Sequence, residues 1–196
     1  MNLANKLTLL RIFLVPLFVI FMILDSNYYG VIIATIIFII ASITDKIDGY
    51  IARSRNQITT FGKFMDPLAD KLLVTAALVS LVQLNVIPAW AVIIILSREF
   101  AVTGLRTIAA AEGKVIAASN WGKLKTVFQM LSIILLLIVE SIKIIPSITT
   151  TIMTTNLSVA LIEYIPLAIF YIAVIITIIS GWDYFAKNKG IINTDK

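Results

Sequence analysis

Four aspartates fall within 26 residues, in the stretch DKIDGYIARSRNQITTFGKFMDPLAD from Asp45 to Asp70. Asp45 and Asp48 are spaced i, i+3, and Asp66 and Asp70 are spaced i, i+4, so on two helices each pair shares a face. Carboxylates brought together repel and raise one another's pKa values unless cations neutralise them. Hard divalent cations suit such a cluster, because they take oxygen ligands and magnesium works with carboxylates and substrate phosphates. Gly49 removes a side chain beside Asp48 and lets a ligand approach the helix backbone. Gly62 precedes the second helix, where free N–H groups and the helix dipole favour phosphate. Pro67 suits the first turn of that helix. One aspartate alone reads as a solvated helix-end charge, paired with Lys46, Lys63 or Lys71. Four at this spacing, with two glycines and Arg53 in register, point to metal and phosphate chemistry.

A second polar patch, SREFAVTGLR, runs from Ser97 to Arg106. Arg98 and Arg106 are close to two helical turns apart and share a face. Glu99 is placed to orient one of them. Lys123 and Lys125 follow in NWGKLKTVFQ. Guanidinium and ammonium groups around one pocket favour an anionic acceptor such as a phosphate monoester. Ordinary positive-inside charge explains Lys114 well, but not Arg98, which is too deep in its apolar segment. The chain has no cysteine and no histidine. Disulfides and thiolate sites are thereby excluded, and so is the commonest general base. Acid–base and metal chemistry must come from Asp, Glu, Lys, Arg or Tyr.

The segments that carry these groups are oily. The chain has 196 residues, 60% hydrophobic and 14% charged, with a mean hydropathy of +1.00. A soluble protein of this make-up could not cover its surface with polar groups. The expected architecture is all-α, a polytopic integral membrane protein whose six transmembrane helices enclose a polar cavity open to the cytoplasmic side. A hydrocarbon core of about 30 Å takes roughly 20 helical residues, and six segments fit: roughly 7–24, 29–53, 64–84, 87–111, 121–142 and 159–184. The first is read as a retained helix rather than a cleaved signal, since no small-residue cleavage pattern follows it. Residues 145–156, rich in Ser and Thr, read as an extramembrane loop. No soluble domain, long linker or internal repeat is visible, so residues 1–196 are read as a single domain. Trp121, Trp182 and Tyr184 are read as markers of the membrane interface, with no chemistry assigned.

Lysines and arginines fall almost wholly on one side of such a topology, which places both termini and the aspartates in the cytoplasm. The net charge of +5 reflects that bias as readily as a taste for anionic lipid. Between Val31 and Asp45 the second segment climbs only about 21 Å at 1.5 Å per residue. The aspartates are therefore recessed from the cytoplasmic surface, where charge exposed to lipid is costly. A connection of about ten residues lets the second and third segments pack antiparallel, so that the four carboxylates converge.

The pattern Asp45-x2-Asp48-Gly49-x2-Ala52-Arg53-x8-Gly62-x3-Asp66-x3-Asp70 resembles the signature of the CDP-alcohol phosphatidyltransferases, with each position filled. The resemblance implies six helices over nearly the whole chain and a metal-dependent transfer of a phosphatidyl group from CDP-diacylglycerol to an alcohol, with CMP leaving. It implies that Asp45, Asp48 and Asp66 hold divalent metal, Mg2+ or Mn2+ and two ions, with Asp70 a shared ligand and the general base. Asp48, Gly49, Ala52, Arg53, Thr59 and Gly62 would contact the CDP-diacylglycerol. The segments REFAVTGLR and NKLTLLRIFLVPLF are similar to those of the branch that makes phosphatidylglycerophosphate, with Thr103 in place of a serine. That likeness implies sn-glycerol 3-phosphate as acceptor, its phosphate against Arg98, Arg106, Lys123 and Lys125 with Arg11 nearby. It also implies a homodimer in the membrane lipid, in phospholipid biosynthesis, with no nucleic-acid partner. Another acceptor within the family remains open: inositol phosphate, serine or phosphatidylglycerol. A divalent-cation transporter is a further alternative; it predicts carboxylates along a route to both surfaces, and the outer halves of the segments carry almost none.

Overall fold

The computed structural model describes residues 3–23, 29–54, 60–111, 113–114, 116–117, 119–152 and 155–189. Within these, side chains are described except at 3–6, 45–54, 60–64, 66–67, 148, 151–152 and 156. The described residues form seven helices and no strand: α1 (Leu3–Ile23), α2 (Gly30–Ser54), α3 (Thr60–Gln83), α4 (Ala89–Ala111), α5 (Asn120–Ile144), α6 (Pro146–Ile152) and α7 (Asn156–Lys187). Each of the six expected segments is a helix. The seventh, α6, corrects the reading of residues 145–156 as loop. Pro146 starts it, where a missing N–H costs nothing, and the Thr149 hydroxyl donates to the carbonyls of Ile142 and Ile145, both at 2.9 Å.

Two further expectations are corrected at the aspartates. Only residues 55–59 separate α2 from α3, about half the expected connection. Pro67 falls in the eighth position of α3, not in its first turn; having no N–H, it cannot supply the bond that the Lys63 carbonyl would receive in a regular helix. Gly62, expected ahead of this helix, lies inside its first turn. At its other end α3 stops by a Schellman closure. The N–H of Val86 bonds the Leu81 carbonyl at 3.0 Å and that of Asn85 the Val82 carbonyl at 2.9 Å. Asn85 sits at φ 58°, the left-handed conformation that asparagine tolerates better than most residues.

The chain divides into two compact units. The first holds Met1–Val86 and Ile134–Glu163. There α1 packs on α2 and α3. Fully buried Ala34, Ala41, Ala69 and Ala77 let helix backbones come close, as membrane helix interfaces require. Phe18 and Phe38 meet at 5.9 Å between ring centroids. Thr35 of α2 shares a 2.9 Å hydrogen bond with Ser141 of α5. Lys143 bridges Glu140 at 2.9 Å and Glu163 at 3.1 Å.

The second unit holds Ile87–Ile133 and Tyr164–Lys196. Trp90 of α4 stacks on Tyr171 of α7 at 6.2 Å. Further along both helices Val102, Leu105 and Tyr184 form a buried cluster. The order of these contacts makes α4 and α7 run parallel. Buried Ala91, Ile95, Val102, Leu105 and Ala109, with Arg98 among them, recur every three or four residues on α4, the stripe of a core-facing helix.

The outer faces are apolar: Phe13 is 68% exposed, Ile93 62% and Val127 61%. Such a surface is an aggregation hazard in water and ordinary in lipid. Two helical stretches, Asn120–Ile144 and Leu157–Lys187, are long and apolar enough to cross a membrane. Leu7–Ile23 and Gly30–Thr44 are shorter apolar stretches, and the second ends where Asp45 begins. Replacing Thr35 by valine keeps the shape and removes a buried hydrogen bond. The expected loss is about 1 kcal/mol, read as a lower thermal midpoint in detergent with the helical content unchanged.

Candidate active site

In the first unit, α2 runs unbroken from Gly30 to Ser54 and α3 from Thr60 to Gln83. The spacings within Asp45–Asp48 and within Asp66–Asp70 are therefore helical, and each pair of positions shares a face. The side chains of Asp45, Asp48, Gly49, Ala52, Arg53, Gly62 and Asp66, and all of Thr59, lie outside the described residues. Asp70 is described and is half-buried on α3, next to Lys71. Arg11 also belongs to this unit. It is wholly buried on α1, one turn after buried Thr8.

The second unit contains the cation cluster. Arg98 is 13% exposed, and its Nη2 donates to Ser180 Oγ at 2.6 Å. Its Nη1 lies 4.0 Å from Glu99 Oε2. Its Nε is buried with no hydrogen-bond partner among the described residues. Two turns on, Arg106 Nε donates to the Tyr184 hydroxyl at 2.9 Å, and its guanidinium carbon lies 5.5 Å from that ring's centroid. Both guanidiniums thus turn to α7, as their shared face requires. Engaging Arg106 through Nε leaves its pair of Nη nitrogens to meet an oxyanion in the forked geometry that suits phosphate.

Lys125 of α5 is 1% exposed and forms an ion pair with Glu99. The sequence reading grouped Lys123 with it. The structure separates them: two positions along a helix point to opposite flanks, and Lys123 is exposed. Glu99, expected to orient an arginine, chiefly meets Lys125.

Sequence reasoning missed the groups that hold these cations. Ser180 is fully buried and Tyr184, expected at the membrane interface, is 2% exposed, whereas Trp182 is 79% exposed. Two glycines make the room. A Cβ on Gly181 would come within 3.2 Å of Arg98 Cγ, and one on Gly122 within 3.4 Å of Arg98 Nη2 and 3.3 Å of Ser119 Oγ. The pair Ser180–Gly181 in an apolar run was the available signal, since small residues inside membrane helices mark close approach.

Helices built this way, with acidic positions on one pair and buried cations on another, suit an enzyme acting on phosphate at an apolar boundary. The model of the CDP-alcohol phosphatidyltransferase family matches residues 1–182, and the chain belongs to that family. The CDP-diacylglycerol–glycerol-3-phosphate 3-phosphatidyltransferase of Bacillus subtilis (strain 168) is 44% identical to it, over 98% of each chain. The protein of that name from Rickettsia typhi is 34% identical, over 96% of this chain and 97% of its own. That from Haemophilus influenzae is 44% identical, over 67% and 73%.

Removing one partner of the Glu99–Lys125 pair strands the other's charge or bonds in a buried place. Glu99→Gln should cost about 2 kcal/mol. Glu99→Gln combined with Lys125→Met should recover most of it, because an apolar substitute needs no counter-charge. Thermal unfolding of the three variants in detergent checks both outcomes.

Proposed function

We propose that this chain transfers the phosphatidyl group of CDP-diacylglycerol to sn-glycerol 3-phosphate, giving phosphatidylglycerophosphate and CMP. The observation that carries this reading is end-to-end similarity, at 44% identity, to a protein named for that reaction. The filled aspartate signature and the cation cluster of the second unit support it. In the reaction the acceptor's C1 hydroxyl oxygen attacks the phosphorus that bears diacylglycerol. The bond from that phosphorus to CMP breaks, CMP leaves with the electron pair, and the hydroxyl proton passes to a carboxylate. Asp70 is our choice for that carboxylate, in a chain without histidine.

Asp45, Asp48, Asp66 and Asp70 would hold two divalent ions, Mg2+ or Mn2+. The donor set fits: all are hard oxygen donors, and both helices keep the spacings regular. Such ions, when bound, neutralise the diphosphate and steady the departing CMP. Asp48, Gly49, Ala52, Arg53, Thr59 and Gly62 are assigned to the nucleotide. Arg98, Arg106 and Lys125 are assigned to the acceptor phosphate; Lys123 and Arg11 keep supporting roles in charge alone.

We further propose six membrane spans, α1 to α5 and α7, with both termini and the aspartates cytoplasmic. Charged residues within α3 and α4 shorten their apolar stretches, as α2's is shortened at Asp45. The lysine and arginine bias supports the orientation.

Purified protein in detergent, given CDP-diacylglycerol, magnesium or manganese and one alcohol at a time, should release CMP with glycerol 3-phosphate and little with serine or inositol. Release with serine or inositol alone contradicts the assignment. Chelation of the divalent ion should stop turnover. Asp70→Asn should lower kcat by about 10²- to 10⁴-fold while binding of the nucleotide lipid persists. Arg106→Ala should raise KM for glycerol 3-phosphate about tenfold or more with little change for the lipid donor; equal effects on both substrates would remove Arg106 from the acceptor.

A further inference from the structure

A polar stripe runs along a buried face of α5. Lys125, Gln129 and Ser132 follow one another at helical spacing and are 1%, 3% and 0% exposed. Two of the three have partners that account for their presence. Lys125 pairs with Glu99, and Ser132 Oγ donates to the carbonyl of Gln129 at 2.9 Å. The third does not: the side-chain oxygen of Gln129 is buried with no hydrogen-bond partner among the described residues. A buried amide oxygen without a donor bears the full cost of leaving water. Leucine or methionine would fill the same space without that cost. The amide therefore suits a partner that arrives and departs. A hydroxyl fits either orientation of the amide, because it both donates and accepts.

Gln129 stands four residues, about 6 Å, beyond Lys125 on the same face. That step is comparable with the reach of a three-carbon phosphate ester. An acceptor phosphorylated at C3 and reacting through its C1 oxygen has one hydroxyl left over, at C2. We propose that the Gln129 side chain hydrogen-bonds this non-reacting hydroxyl and so sets specificity for a glycerol phosphate over phosphate esters that lack it. The proposal rests on the glycerol 3-phosphate reading above and deepens it. A site built to bond a hydroxyl rejects the analogue without it, since its own buried group is left unpaired.

The test compares glycerol 3-phosphate with 3-hydroxypropyl phosphate, the same acceptor without its central hydroxyl, on wild type and Gln129→Met. CMP release is followed under saturating CDP-diacylglycerol. Wild type should lose about tenfold or more in kcat/KM on the analogue. Gln129→Met should lose a similar factor on glycerol 3-phosphate, leave the analogue within about twofold, and unfold at the same or a higher temperature, since it removes an unpaired buried group. Equal losses on both acceptors would give Gln129 a structural role only and overturn the proposal. So would a wild type that uses both acceptors alike, a result that needs no variant to fold. No release by wild type with either acceptor, but release with another alcohol, would overturn the acceptor reading itself and this proposal with it.

Discussion

A charge on a helix made mostly of apolar residues must be met by another polar group, and that constraint organises the second unit. A guanidinium or ammonium stripped of water costs several kcal/mol unless hydrogen bonds and counter-charge replace the lost hydration. Arg98 and Lys125, 13% and 1% exposed, are in that position. The replacement comes from Glu99 on α4 and from Ser180 on α7, while Tyr184 on α7 holds Arg106. Arg98 and Arg106 are eight residues apart, and the hydroxyls that hold them are four apart. The longer reach of tyrosine makes up the difference between the two helices. A polar network of this kind holds its members in one arrangement.

The same constraint explains the composition of α7. Its outward positions, such as Ile175 and Ile178, are more than half exposed and apolar. Its inward positions, Thr177, Ser180, Gly181 and Tyr184, are small or hydroxylated. At Gly181 a Cβ would crowd the stem of Arg98, 3.2 Å from its Cγ. Serine, glycine and tyrosine on one helix face read individually as minor departures from an apolar run. Together they are the receptor for two arginines. Two buried polar atoms of this unit, Arg98 Nε and the side-chain oxygen of Gln129, have no hydrogen-bond partner among the described residues.

Much of this was legible in the residues. The six long helices follow from hydropathy and length, and the aspartate signature survives as regular spacing on unbroken α2 and α3. The pairing of Arg98 and Arg106 on one face followed from helical periodicity. Periodicity also held the information that separates Lys123 from Lys125, which lie two positions apart. Shared charge hid it, and the burial of one of them is settled by packing. Tyr184 was read by its type, as an aromatic near a helix end, when its partner Arg106 lies 78 positions earlier in the chain; no local pattern reports such a contact. The helix α6 was hidden by Ser and Thr, whose hydroxyls compete for backbone in short segments and here cap and brace it instead. Pro67 was placed by a preference for first turns that α3 overrides, extending seven residues ahead of it.

The central claim is that acidic positions on α2 and α3 make this chain a metal-dependent phosphatidyltransferase. Its most direct measurement is a manganese titration of the purified protein in detergent, read by the electron paramagnetic resonance signal of free Mn2+, for wild type and for Asp66→Asn and Asp48→Asn. Saturable binding by wild type, lost or weakened at least tenfold in both variants while their helical content is retained, is the predicted result. Equal manganese uptake by all three proteins, or none by wild type with or without CDP-diacylglycerol, would contradict the account.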